Sequence, residues 1–128
     1  MRIAISLSAL LLAMSVSGSL AAEAWMEADS SMGKIYTDAK GMTLYTLDTD
    51  EPGKSNCCDQ CAVNWPPFLA EAGAMAEGEW TIVDRTDGTK QWAYEGKPLY
   101  LYIEDKKAGD VTGEGKGGVW HVAMADED

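Results

Sequence analysis

Between Lys34 and Met124 apolar residues gather in short runs, many with a period of two, and each run is closed by a turn rich in glycine or acidic residues. Such a pattern predicts short strands of a β fold. Lys34–Thr37 and Met42–Asp48 flank Asp38-Ala39-Lys40-Gly41, which reads as strand, glycine turn, strand. Trp80–Arg85 and Thr89–Tyr94 flank Thr86-Asp87-Gly88, and Asp-Gly is a strong short hairpin signal. Tyr94-Glu95-Gly96 then turns into Lys97–Ile103, and Gly117–Met124 supplies the last of six strands. Along Lys97–Ile103, Leu99, Leu101 and Ile103 share one face while Tyr100 and Tyr102 share the other, so a central strand covered on both sides is expected. In Met42–Asp48 the faces are Leu44 with Thr46 and Tyr45 with Leu47. An aromatic stripe at this spacing would suit a ligand groove, but packing is the commoner use of so much ring area. Glu23–Gly33 has no clear period and reads as a mobile lead-in.

The pattern is also a repeat. Gly41-Met42-Thr43-Leu44-Tyr45 is answered by Gly96-Lys97-Pro98-Leu99-Tyr100, Asp50 by Asp105 and Trp65 by Trp120, all 55 residues on, with Gly53 and Gly109 one step out of register. A unit used twice implies a pseudo-two-fold β domain.

Ahead of it, Met1-Arg2 and the apolar run Ile3–Val16 fit a signal peptide, with cleavage near Ser19-Leu20-Ala21 or Ala22-Glu23-Ala24. We divide the chain into a signal peptide (1–22), a flexible lead-in (23–33), the β domain (34–124) and an acidic tail (125–128). No cysteine lies near either cleavage site and no second apolar segment follows. The expected product is periplasmic or secreted, without a lipid anchor and without a membrane span once the signal is removed. The roughly 105 residues left suit one domain.

Charge narrows the partners. The chain carries a net charge of −11, and loss of Arg2 with the signal would make it −12. That surface repels phosphate backbones and anionic headgroups, so nucleic acid is not an expected partner, whereas a cationic protein, basic peptide or metal ion would be attracted. Solubility is a sufficient reason for the charge as well. Asp48-Thr49-Asp50-Glu51-Pro52-Gly53 is similar to the start of a calcium loop, with Asp59 at the twelfth position. Pro52, the short Asp59 and the absence of flanking amphipathic helices favour turn capping instead, as in Glu104–Asp110.

Cys57, Cys58 and Cys61 form the sharpest chemical cluster. The segment around them predicts one short helix, capped by Ser55 or Asn56 and stopped by Pro66-Pro67. In an oxidising compartment two of the three thiols should pair. Cys58-Asp59-Gln60-Cys61 has thiol-oxidoreductase spacing, but the usual βαβ surroundings are missing, and no histidine follows Cys61 to mark covalent haem. His121 is the only histidine, and Met124 follows it by three. With Cys58 they form a conceivable copper set, although residues three apart on a strand point to opposite faces. No nucleophile elbow or second histidine supports hydrolysis.

One resemblance is specific. The run Gly41-x-Thr43-Leu44-Tyr45, Asp50, Gly53-Lys54-Ser55-x-Cys57-x-x-x-Cys61-Ala62-x-x-Trp65-Pro66-Pro67 opens it. It continues as Asp87-Gly88-x-x-Gln91-Trp92-x-Tyr94-x-Gly96-x-Pro98-Leu99-Tyr100-x-Tyr102-x-x-Asp105, Gly109, Gly113-x-Gly115 and Trp120. Together these resemble the bacterial secreted-repeat family, predicted lipoproteins with a Tyr-x-(Phe/Trp/Tyr)-x-x-Asp motif, over Lys34–Met124. Tyr100, Tyr102 and Asp105 fit the motif fully, while Tyr45 and Asp50 enclose Leu47 in place of a ring. The resemblance implies a Cys57–Cys61 disulfide and leaves Cys58 as an additional, reduced thiol. It implies no biochemical activity.

The sequence therefore predicts a mainly β, small single domain of antiparallel strands, with an internal pseudo-two-fold repeat and one short helix at the cysteines. Its expected role is an exported, non-enzymatic binding or interaction module for an unknown protein or small ligand, cationic by preference, with no cofactor. The alternative is a periplasmic redox or copper-handling protein using the cysteine cluster with His121 and Met124.

Overall fold

The computed structural model describes residues 24–57 and 59–125. The signal segment 1–22, Cys58 and residues 126–128 of the acidic tail lie outside the described residues. The order is β1 (Trp25–Ser30), β2 (Gly33–Asp38), β3 (Tyr45–Leu47), α1 (Gln60–Asn64), β4 (Trp80–Asp84), β5 (Lys90–Tyr94), β6 (Lys97–Pro98), a 3₁₀ turn (Lys116–Gly118) and β7 (Trp120–Val122). All strand pairs are antiparallel. The mainly β reading, with one short helix beside the cysteines, therefore holds.

The lead-in is a correction. Trp25–Ser30 is a strand that pairs with β2 along its whole length, from Trp25 opposite Asp38 to Ser30 opposite Gly33. A tight turn makes it possible. Ser30 Oγ accepts from the Met32 amide and donates to the Gly33 carbonyl, and Gly33 adopts φ 106°, a region open to glycine. No alternation marks the segment because its strand lies at a sheet edge with side chains that are exposed or half-covered and none that is buried. Trp25 anchors it by stacking on Trp80, with ring centroids 3.9 Å apart and planes 5° from parallel.

Trp25 and Trp80 are themselves 55 residues apart, so the hairpins β1–β2 and β4–β5 are equivalent parts of the repeat. At its centre Tyr45 and Tyr100 face each other. The Tyr45 amide donates to the Tyr100 carbonyl at 2.8 Å, and the Tyr100 amide donates back at 2.9 Å. A reciprocal antiparallel pair of this kind has a local two-fold axis between its members.

The repeats exchange their closing segments across that axis. Phe68, from the end of the first repeat, donates to the Leu99 carbonyl and accepts from the Trp92 amide, both at 2.9 Å. Its counterpart Ala123 donates to the Leu44 carbonyl at 2.8 Å and accepts from the Tyr36 amide at 2.9 Å. Pro67 and Leu69 bridge to Tyr100 and Gln91, just as Val122 and Met124 bridge to Tyr45 and Ile35. Each sheet is thus completed by a strand from the other repeat.

Period-two alternation sorts neighbouring residues into two cores. Ile35, Tyr45, Tyr100 and Val122 join Cys57, Trp65 and Trp120 on one side. Tyr36, Leu44, Leu99 and Ala123 join Phe68, Trp80 and Trp92 on the other. Leu99 and Tyr100 are both fully buried, as expected for a strand covered on each face. Regular pairing is shorter than the sequence predicts, because β6 spans only Lys97–Pro98 and the approach to β7 becomes a 3₁₀ turn among glycines with positive φ. The helix starts at Gln60, after Asp59 at φ 56°. Neither Ser55 nor Asn56 caps it, since Ser55 Oγ meets the Tyr100 phenol and the Asn56 amide donates to Asp50.

Candidate functional site

The residues that the repeat singles out meet around the two-fold axis. Tyr45 of the first repeat donates its phenol to Asp105 of the second, and Tyr100 of the second donates to Asp50 of the first, both at 2.7 Å. Asp105 also accepts from the amide and hydroxyl of Thr112, and Asp50 accepts from the Asn56 amide at 2.6 Å. The acidic loops are therefore tied down by their own aspartates rather than held open. Burial, and then the neighbouring carboxylate, pushes both phenols well above their ordinary range, which keeps them protonated as donors. Burial also raises Asp50, against the lowering effect of Tyr100, Asn56 and Arg85.

Arg85 completes the Tyr100 side and is a residue that strand pattern did not single out. Its guanidinium donates to Gln91 Oε1 at 2.8 Å, Ser55 Oγ at 3.2 Å and the Cys57 carbonyl at 3.1 Å. The counterpart on the Tyr45 side is backbone: the Gly113 amide donates to the Tyr45 phenol at 3.0 Å. Gly113 is required there by space. A Cβ would lie 2.7 Å from a Trp65 ring carbon and 2.9 Å from a Tyr45 ring carbon.

Cys57 is bonded to Cys61, with Cα atoms 5.2 Å apart. Cys57 is fully buried in the first core, and α1 ends at Trp65, whose amide donates to the Cys61 carbonyl. The staple and the helix end together aim Trp65 at its counterpart Trp120. Their rings stack with centroids 3.8 Å apart and planes 3° from parallel. Tyr102 stacks on Trp65 at 4.0 Å, giving a column of three rings, Tyr102–Trp65–Trp120.

This column borders an open groove of about 380 Å³, whose lining also includes Asn64, Glu104, Lys116 and Val119. Trp65 and Trp120 are nearly covered, and Tyr102 is half-buried. The groove is not duplicated by the repeat, because the position equivalent to Tyr102 is Leu47. A smaller hollow of about 190 Å³ lies there instead, with Asp48, Asp50, Glu51, Glu95 and Lys97 around Leu47.

His121 stands apart from the cysteines' role as a staple. Its Nε2 lies 3.0 Å from Asp48 Oδ2 and its Nδ1 lies 3.2 Å from Glu114 Oε2. The bond to Glu114, followed by that to Asp48, raises its pKa above 6.5. Met124 is partly exposed, and its backbone bridges to Ile35. Among the described residues no group of three or more His, Cys, Asp and Glu side chains is placed to hold a metal ion. Cys58, expected as a reduced thiol and possible ligand, lies outside the described residues. No helix among the described residues is long and apolar enough to cross a membrane.

The chain belongs to a family of secreted repeats whose function is unknown: the family model matches residues 27–68 and again 81–124. Each match runs from the first hairpin strand of one repeat into the segment exchanged with the other. No curated protein and no solved structure matches the chain.

Proposed function

We propose that the protein is an exported, non-enzymatic binding module that receives a basic peptide segment of a partner in the groove beside Tyr102, Trp65 and Trp120. The observation that carries this reading is a stacked aromatic column bordering a groove of about 380 Å³ with a carboxylate, Glu104, in its lining. A lysine or arginine placed over a ring face gains about 0.5–2 kcal/mol, the larger value where water is displaced. The net charge of −11 adds long-range attraction for the same class of ligand. Lys116 on the groove wall is suited to a carbonyl or carboxylate of the bound chain. Recognition of this kind needs no resident cofactor. Burial of Cys57 supports a stapling part for the disulfide rather than a cycling one, since thiol exchange requires access to sulfur.

Calorimetric titration with an arginine-rich peptide, set beside a glutamate-rich peptide of equal length, tests the proposal. The expected result is micromolar to millimolar binding of the basic peptide alone, about 4–8 kcal/mol. Tyr102→Ala should weaken it by about twofold to thirtyfold, the loss of one cation–ring contact. Absence of binding by the basic peptide, or binding that a folded Tyr102→Ala variant leaves unchanged, would overturn it.

A further inference from the structure

The glycine-rich segment that helps to line the groove is an unusual piece of chain. Residues 113–119 contain Gly113, Gly115, Gly117 and Gly118, of which the last three have positive φ, and they supply Lys116, Gly117 and Val119 to the groove. Such a segment has little intrinsic preference for one conformation. Its position depends on a few tethers. Gly115 donates to the Trp120 carbonyl at 2.7 Å, and the Val119 carbonyl accepts from the Asp48 amide at 2.8 Å. The Gly113 amide donates to the Tyr45 phenol at 3.0 Å, and Glu114 adds a side-chain tether, with one carboxylate oxygen accepting from the Val122 amide at 2.8 Å and the other facing His121 Nδ1.

His121 therefore joins three pieces: its own strand β7, Asp48 just beyond β3 of the first repeat, and Glu114 of the glycine segment. Its cross-strand neighbour in β3 is the uncharged Thr46. Both ring nitrogens face carboxylate oxygens, and an imidazole can donate to both only when it carries two protons. Loss of one proton leaves a nitrogen lone pair against a carboxylate, so one of the two bonds becomes repulsive.

We propose that His121 is a pH-sensitive latch: doubly protonated, it holds Glu114 and Asp48 and thereby fixes the 113–119 wall of the groove, and on losing a proton it lets that wall loosen. The link to ligand binding rests on the groove reading above, whereas the latch itself does not. The raised pKa of the ring agrees in direction with the geometry. A latch of this type works near neutral pH, where histidine changes charge.

Nuclear magnetic resonance on the ¹⁵N-labelled full chain reads it directly. Between pH 5.5 and 8.5 the His121 ring and the backbone signals of 114–119 should titrate with one shared midpoint above 6.5. Order parameters of that segment should fall from about 0.85 towards 0.6 across the midpoint, the span from rigid to flexible backbone. His121→Asn should show the loosened segment already at pH 6, and His121→Arg, which keeps a cation between the carboxylates, should hold it ordered at both ends of the range. A ring that titrates while residues 114–119 do not respond, in a protein whose other signals show it folded, would overturn the latch. If the segment titrates as described but arginine-rich peptide binding is absent, the latch stands and the groove reading fails.

Discussion

Tyr45 and Tyr100 each donate to an aspartate supplied by the other repeat, so a single oxygen atom on each ring joins the two halves of the molecule. Tyr45→Phe removes the donor to Asp105 and the acceptor for the Gly113 amide while leaving the ring packing in place. Asp105, which is buried, then loses one of its partners. We expect Tyr45→Phe and Tyr100→Phe each to cost about 1–3 kcal/mol in urea denaturation, the range for orphaning buried polar groups. Losses below about 0.5 kcal/mol, the scale of surface substitutions, would show that the phenols do not join the repeats. The identities of these residues were legible in the chain, because Tyr45, Asp50, Tyr100 and Asp105 recur at one spacing. Their partners were not. An offset states which residues correspond, and says nothing about whether a tyrosine bonds the aspartate of its own loop or of the other. Arg85 and Glu114 were illegible for a related reason, since each acts through a long-range contact that leaves no local period.

Strands and turns were legible where a side-chain pattern was reinforced by turn chemistry. The Asp87-Gly88 hairpin is the clearest case: Asp87 accepts from the Thr89 amide and hydroxyl while β4 and β5 pair on either side. β1 was missed because an edge strand with no buried side chain needs no alternation, although Trp25 stands at the repeat spacing from Trp80 and that signal was available. The exchanged strands were also hidden, because Pro67–Leu69 and Val122–Met124 have no local feature naming the sheet they join. Their exchange has a physical consequence. A cut in the largely exposed stretch 71–79 between the repeats leaves the inter-repeat hydrogen bonds among the described residues in place. The full chain, folded and then cleaved at a protease site inserted there, should elute as one species with its near-ultraviolet circular dichroism retained. The halves should part only in denaturant. Separation in native buffer would contradict the exchanged topology.

Taken as a whole, the molecule places three pairs of equivalent aromatic residues against its local two-fold axis: Trp25 with Trp80, Tyr45 with Tyr100, and Trp65 with Trp120. The symmetry breaks where Tyr102 replaces Leu47 and where the disulfide-bound helix of the first repeat is matched by a glycine segment in the second. The groove lies at that break. The two stacked tryptophan pairs belong to different cores, one bordering the groove and the other on the opposite side of the sheets. This division gives the binding account a direct test in the indole N–H signals of the five tryptophans, followed while an arginine-rich peptide is added. The account predicts that the signals of Trp65 and Trp120 move together with the peptide concentration while those of Trp25, Trp80 and Trp92 stay in place. Equal movement of all five, or movement confined to Trp25, Trp80 and Trp92, would contradict it.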